Sequence, residues 1–400
     1  MKKKILRLPF TFVLFYLFVS LFSCNTESNM ERHLLFNLSL GKGEDQLDLI
    51  QMANIPFNKK TRIVMKDGLI FIGNGNSNKV MEFNSFGDIL SLYYNPHDNP
   101  KPVLLSDISG GGEYSNRNAY AFNFRNTGEI AVTGKGHLLV EDSVPDNRLD
   151  YDEDTESTLS RIVLQFDGEG NFINFLGREG IGGTPFPYIE KIEVNNKDEV
   201  IIITRIIKKW IIYWFSEDES LKFTIKIPLD DLPFPQEGAY IPSLETIVSD
   251  KNKNLLYLKI NYYNKASSNL DYSESYLWTL DLNQKKYTNS IRIPELDAAK
   301  SDDISGFLGV NSAGNFYFLS HLSDNTFQIM VLNDTGSVII RKDLTMMDNE
   351  ISYRDIYLDS EGLLVALLGK NDTVEIVWWR SDQLPGVQDE NSRLLSNVRN

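Results

Sequence analysis

After the first thirty residues the chain shows no long amphipathic helical period. Short runs of β-branched and aromatic residues recur instead, separated by turns rich in Asn, Asp and Gly, which is the pattern of strands in hairpins. One unit repeats: a short strand, a polar turn, an apolar strand, a second apolar strand ending near Asp, Asn or Ser, and a closing strand. The polar turn is expected at Lys66-Asp67-Gly68, Asn126-Thr127-Gly128, Asn195-Asn196-Lys197-Asp198, Asp250-Lys251-Asn252-Lys253, Asn311-Ser312-Ala313-Gly314 and Asp359-Ser360-Glu361-Gly362. The strands that follow these turns read LIFIG, EIAVTG, EVIIITR, LLYLKI, NFYFLS and LLVALLG. The third strands read KVMEFNSFG, RIVLQFDGEG, WIIYWFSED, SYLWTLDLN, FQIMVLNDTG and VEIVWWRSD. Six copies of about four strands each predict an all-β fold, a six-bladed β-propeller of four-stranded blades.

Two copies carry a more specific signature. Gly68-Leu69-Ile70-Phe71-Ile72 leads to Lys79-Val80-Met81-Glu82-Phe83-Asn84-Ser85-Phe86-Gly87, and Arg161-Ile162-Val163-Leu164-Gln165-Phe166-Asp167 repeats the second half. These stretches resemble the repeats of NHL-type propellers, in which G-x-[IV]-[YF]-V is followed by [RK]-[IV]-x-x-F-[DN]-x-x-G. The resemblance spans most of residues 60–382. It implies that the first strand of each blade lines a central channel, and that loops between second and third strands share a face with the blade-to-blade connections. It also implies that ligands use that face. Residues 34–40 (LLFNLSL) are expected to add a strand to the last blade and close the ring, so that no sheet edge is left open.

The N-terminus has a different pattern. Residues 1–7 are basic, an apolar run covers Phe10 to Leu21, and Leu21-Phe22-Ser23-Cys24 follows. The run has the length of a secretory signal core and is short for a membrane span of ~20 residues. The tetrapeptide resembles the lipobox of bacterial lipoproteins, which implies acylation of Cys24, the only cysteine of the chain. The whole resembles propeller lipoproteins of diderm bacteria. The expected organisation is a signal peptide over 1–23, a lipidated tether over 24–33, the propeller over 34–382 and a polar tail over 383–400. Asn25 after the Cys carries no Asp retention signal, so the expected location is the cell envelope, at the outer membrane or its periplasmic face, with the membrane engaged through the lipid.

Charge narrows the partners. The formal charge is −15, and −19 without the four cations of residues 1–23. Such a surface repels nucleic acid, which is not an expected partner. A protein, peptide or glycan of the envelope is. With one cysteine, neither a disulfide nor a thiol pair can form within the chain.

Candidate chemistry sits in the longest loops, expected at 133–160 in blade two and 261–275 in blade four. The first holds Glu141, Asp142, Asp146, Asp150, Asp152, Glu153, Asp154 and Glu156. Asp150, Asp152 and Asp154 have the alternate spacing of calcium loops. Thr155 and Arg161 stand where that motif needs Gly and Glu, so calcium is admitted by the spacing alone and no other cofactor is implied. Arg117, Arg125, Arg205, Lys208, Lys209, Tyr262, Tyr263, His321 and Asp324 are the remaining ligand-binding candidates, Arg and Tyr being common interface anchors. The four histidines form no metal-ligand spacing, and neither a G-x-S-x-G elbow nor a phosphate loop occurs; Ser109-Gly110-Gly111-Gly112 lacks the Lys-Ser/Thr of the latter. Two functions follow: a binding or scaffold module, or a divalent-metal-dependent hydrolase or lyase resembling propeller lactonases, with Glu190, Asn123 and Glu245 as channel donors.

Overall fold

The structure is a computed structural model. It describes residues 29–49, 59–107, 117–235, 240–266, 271–295, 304–323, 326–346 and 350–384. Cys24, the signal segment, the Ser109–Gly112 stretch, Asp324 and most of the C-terminal tail lie outside these residues.

Six antiparallel sheets stand around one axis. From the axis outward, blade one is Thr61–Lys66, Leu69–Asn74, Lys79–Phe83 and Ile89–Tyr94. Blade two is Ile130–Val132, Leu138–Ser143, Arg161–Phe166 and Phe172–Gly177. Blade three is Ile189–Val194, Val200–Arg205, Lys209–Phe215 and Leu221–Pro228. Blade four is Tyr240–Ser249, Leu255–Asn264, Tyr272–Asp281 and Lys286–Arg292. Blade five is Gly306–Val310, Phe316–Ser323, Thr326–Leu332 and Val338–Thr345. Blade six is Tyr353–Leu358, Leu364–Gly369 and Thr373–Trp379, completed on the outside by His33–Leu40. The fold is the six-bladed propeller that the repeat predicts.

Both faces of each sheet are buried against a neighbouring blade, which explains the unbroken apolar runs. Alternate side chains of one strand serve opposite interfaces. Ile201 and Ile203 pack with Ile247, Leu256 and Leu258 of blade four. Ile202, between them, packs with Leu139 and Val163 of blade two. The buried residues accordingly fall into six clusters, one per blade interface.

The F-[DN]-x-x-G signature has a local cause. Asn84 Oδ1 accepts the Phe86 and Asp88 N–H groups at 2.9 and 3.0 Å. Asp167 Oδ1 does the same for Glu169 and Asn171 at 2.9 and 2.8 Å. Gly87 and Gly170 close these turns at φ 85°, a conformation that favours glycine.

Blade two departs from the expected assignment. Ile130–Val132 is its inner strand, not its second, and the inner turn is Thr133 to His137. Asn126-Thr127-Gly128 precedes the blade instead of turning within it. The second strand is Leu138–Ser143, so Glu141 and Asp142 are buried strand residues and not loop acids. Between 144 and 160 the chain forms a small hairpin, Asp150–Asp152 against Ser157–Leu159. In blade four the strands run on to Asn264 and resume at Tyr272, so the connection is shorter than residues 261–275.

Ring closure rests on three contacts. His33–Leu40 pairs antiparallel with Thr373–Trp379. The fully buried Lys79 ammonium of blade one donates to the Gly43 and Gln46 carbonyls at 2.6 and 2.7 Å. Phe36 packs on the outer turn of blade one so closely that a Cβ on Gly87 would lie 2.7 Å from the Phe36 Cβ. Gly87→Ala is therefore expected to cost about 2–5 kcal/mol, combining left-handed strain with overpacking. Gly68→Ala, with φ 81° and open space around its Cβ, is expected to cost only about 1–2 kcal/mol. Urea unfolding of both variants measures the difference; equal losses would mean that the closing contact is soft.

Candidate functional site

The six inner strands leave one backbone edge each toward the axis. Between their final halves lies a cavity of about 830 Å³, walled by these strands and by the turns that follow them. In an antiparallel blade those turns lie on the face opposite the loops between second and third strands. The cavity is thus on the other side of the disc from the face that loop length favours.

Every blade gives it polar groups, and the inner ones gather on blades three, four and six. Lys191 and Glu193 alternate with apolar residues on the inner strand of blade three, and Lys191 Nζ meets Glu193 Oε1 at 2.7 Å. Glu193 Oε2 accepts both the N–H and the Oγ of Ser249, on the inner edge of blade four, at 2.7 Å each. Burial opposes the Glu193 charge, but Lys191, Lys251 and the Ser249 N–H outweigh it and hold the carboxyl below its ordinary pKa. Lys251 extends into the same space from the blade-four turn, and burial lowers its pKa in spite of Glu193. Tyr357, from blade six, has its pKa raised by burial and stays a neutral O–H donor. At the mouth, Asn196 donates to Asn252 Oδ1 and to Ser312 Oγ, each at 2.9 Å, and Ser312 N donates to Ser360 O at 2.7 Å. These bonds tie the inner turns of blades three to six into one rim.

The starting ends of the inner strands carry a separate ionic network. Lys60 lies 3.1 Å from Glu129 and 2.9 Å from Glu141. Arg62 binds Glu129 at 2.9 Å and faces Asp355 at 3.8 Å. Asp355 Oδ2 accepts the Ile63 N–H at 2.8 Å, and Tyr353 Oη donates to Thr61 O at 2.5 Å. Blades six, one and two are joined here, and none of these side chains lines the cavity.

The candidates singled out in the sequence are dispersed. Arg205 and Lys208 come together on the turn between second and third strands of blade three, where Arg205 faces Glu190 at 3.8 Å and Lys208 holds Glu156 at 3.0 Å. Arg117 is exposed beside Asp88 at the rim of blade one. Arg125 is exposed, and its backbone N–H donates to Asp142. Tyr262 is core: its hydroxyl donates to Pro233 O at 2.5 Å and accepts from Trp278 Nε1 at 2.8 Å. Tyr263 is half-buried against Tyr272, and His321 is half-buried against Phe327. In the blade-two hairpin, Asp152 pairs with Arg178, while Asp150 and Asp154 are exposed. No group of three or more His, Cys, Asp or Glu side chains is gathered as a metal ion would require among the described residues. Glu190, Asn123 and Glu245 do not line the cavity; Glu245 accepts from Lys259 and Asn261. Sequence reasoning passed over Lys191, Glu193 and Lys251. The signal was present in the three charges, Glu190, Lys191 and Glu193, that interrupt the apolar strand before the Asn195 turn.

No protein-family model matches the chain, and neither does any curated protein. Solved structures with a similar course include an ulvan lyase, a polysaccharide lyase (8% identity, 88% of this chain and 84% of that one, TM-score 0.39). Others are the WD40 domain of coronin from Toxoplasma gondii (9%, 91% and 89%, 0.44) and the NanB sialidase of Streptococcus pneumoniae (9%, 86% and 70%, 0.44). Likeness at this level says nothing of activity.

Burial pushes the Asp355 pKa from 3.8 up to about 6, against the pull of Arg62 and the Ile63 N–H. The folded state therefore holds this proton more tightly than the unfolded chain does. Between pH about 4 and about 6 the Asp355 contribution falls as pH rises. The stability of the wild type minus that of Asp355→Asn is expected to decrease from pH 4 to pH 7 in urea unfolding. An increase would show that the Arg62 pair outweighs burial.

Proposed function

We propose that this chain is a lipid-anchored protein of the bacterial cell envelope, held at Cys24, and that its propeller is a binding module working through the axial cavity. The observation that carries the binding reading is the cavity itself. At about 830 Å³ it lies in the range of ligand sites, ~300–1,000 Å³. Its walls are fixed, because the strands are hydrogen-bonded outward and the mouth turns are bonded to one another. A site that is formed before its ligand arrives spends little on ordering. An envelope protein, a peptide or a glycan whose tip enters the cavity fits this geometry.

The anchor is compatible with it. Met30, buried, donates its N–H to Asp343 O on the outer strand of blade five at 2.9 Å. The first described residues thus sit on the outer rim, between blades five and six. The residues from Cys24 to Asn29 span at most ~18 Å. On this reading the disc meets the membrane near its rim, and the axial mouth is left for a partner.

Two measurements test the proposal. Cys24→Ser is expected to abolish palmitate labelling and release the protein from the membrane fraction; unchanged labelling would sink the anchor. A photo-crosslinking residue at Ser312, on the mouth, is expected to capture a partner in cells that one at Lys208, on the opposite face, does not. Capture at Lys208 alone would move the site to the loop face.

A further inference from the structure

We infer that the axial cavity takes a small monoanion, a ligand bearing one carboxylate, on the ammonium of Lys251. The inference rests on the binding reading above and adds the chemistry of the ligand.

Lys251 follows Asp250 at the end of the blade-four inner strand. Its carbonyl accepts the Asn196 N–H at 2.9 Å, which fixes the turn and aims the side chain at the axis. Three carboxylates lie near enough to be felt: Glu193, Asp250 and Asp359. Each is engaged elsewhere. Glu193 gives one oxygen to Lys191 and the other to Ser249. Asp250 Oδ1 accepts the Asn252 and Lys253 N–H groups at 2.7 Å, and its Oδ2 accepts the Tyr257 hydroxyl at 2.6 Å. Asp359 Oδ1 accepts the Glu361 and Leu363 N–H groups at 2.9 and 2.7 Å. None of the hydrogen bonds or ion pairs among the described residues ends on Lys251 Nζ.

An ammonium taken out of bulk water without a direct acceptor is destabilising. Burial, and after it repulsion from the neighbouring Lys191, lower the Lys251 pKa, which is the same cost seen from its proton. Methionine has nearly the same length and would avoid it. A ligand carboxylate supplies what is missing, in a confined space where a charged hydrogen bond is stronger than at the surface. The neighbouring acids set the charge of that ligand. Lys197 has no ion pair among the described residues either but is exposed at the mouth, so one anionic group matches the single such ammonium inside the walls, whereas a dianion there would meet Glu193 and Asp359. The Tyr357 hydroxyl offers a neutral donor to the same ligand.

The test is calorimetry on the full chain with D-glucuronate and L-lactate, a sugar acid and a hydroxy acid, against neutral D-glucose and the dianion sulfate. At least one of the two acids is expected to bind saturably, and glucose and sulfate not. Which acid binds identifies the source of the carboxylate. Lys251→Met is expected to weaken binding by about 10–100-fold, the loss of one charge-assisted hydrogen bond, and to raise the melting temperature. Lys251→Gln, which keeps a polar tip, serves if the Met variant does not fold, and Lys208→Ala is expected to bind like the wild type. If neither acid binds, or if Lys251→Met binds unchanged, the inference falls. A partner still captured at Ser312 would then leave the binding reading standing.

Discussion

Six strands that converge on an axis each carry an inner backbone edge with no neighbouring strand to pair it, and the rest of the structure is arranged around that constraint. A buried N–H without an acceptor costs more than most single interactions contribute. Here the acceptors come from the next blade. Glu193 of blade three receives the Ser249 N–H of blade four. Asp355 of blade six receives the Ile63 N–H of blade one. Acids placed on the axis to cap backbone then require cations, which is why Lys191, Arg62 and Lys60 stand where an apolar plug could have stood. The charges of the channel are in this sense consequences of ring geometry before they are anything else.

The same geometry explains the packing. A blade buried on both faces cannot alternate apolar with polar residues, so its strands read as continuous runs such as VIIIT and LLVALLG. Most polarity falls in turns, at the inner edge and on the outer strand, and the exceptions, such as Glu141, Asp142 and Lys79, are buried with partners. The outer strand of blade three shows the other regime, with exposed and half-buried positions along Leu221–Pro228. The ring has to be closed by a segment far away in sequence, and His33–Leu40 does so with Lys79 and the Gly87 turn fitted against it.

Much of this was legible in the chain. The apolar runs and Asx-Gly turns located the second and third strands of five blades, because each of those signals has a local cause. Blade two was misread for a physical reason. Glu141 and Asp142 look like solvated loop acids, yet Glu141 is buried with Lys60 and Asp142 caps the Arg125 and Asn126 N–H groups. Sequence gives the identity of an acid and not its partner, and a three-residue inner strand is too short to show a period. Tyr262 failed in the opposite direction: a residue taken for a loop aromatic belongs to a strand that runs longer than its pattern suggests. The axial groups were missed because their convergence is made by closure of the ring, which brings residues 191, 251 and 357 to one place.

The longest loop, the blade-two insertion, commits part of its charge within the fold. Its hairpin spends two of its acids on joining neighbours, Asp152 to Arg178 and Glu156 to the Lys208 turn of blade three. An insertion whose charges are used internally has less left for a ligand than its composition implies. The axis presents the reverse case. Glu193, Asp250 and Asp359 are engaged by backbone, by hydroxyls or by Lys191, and none of the hydrogen bonds or ion pairs among the described residues ends on the Lys251 ammonium. A fold that satisfies its inner edges with acids needs cations to balance them, but it does not need one in excess at the turn of blade four. That excess is what the backbone constraint does not account for, and it lies at the wall of the cavity.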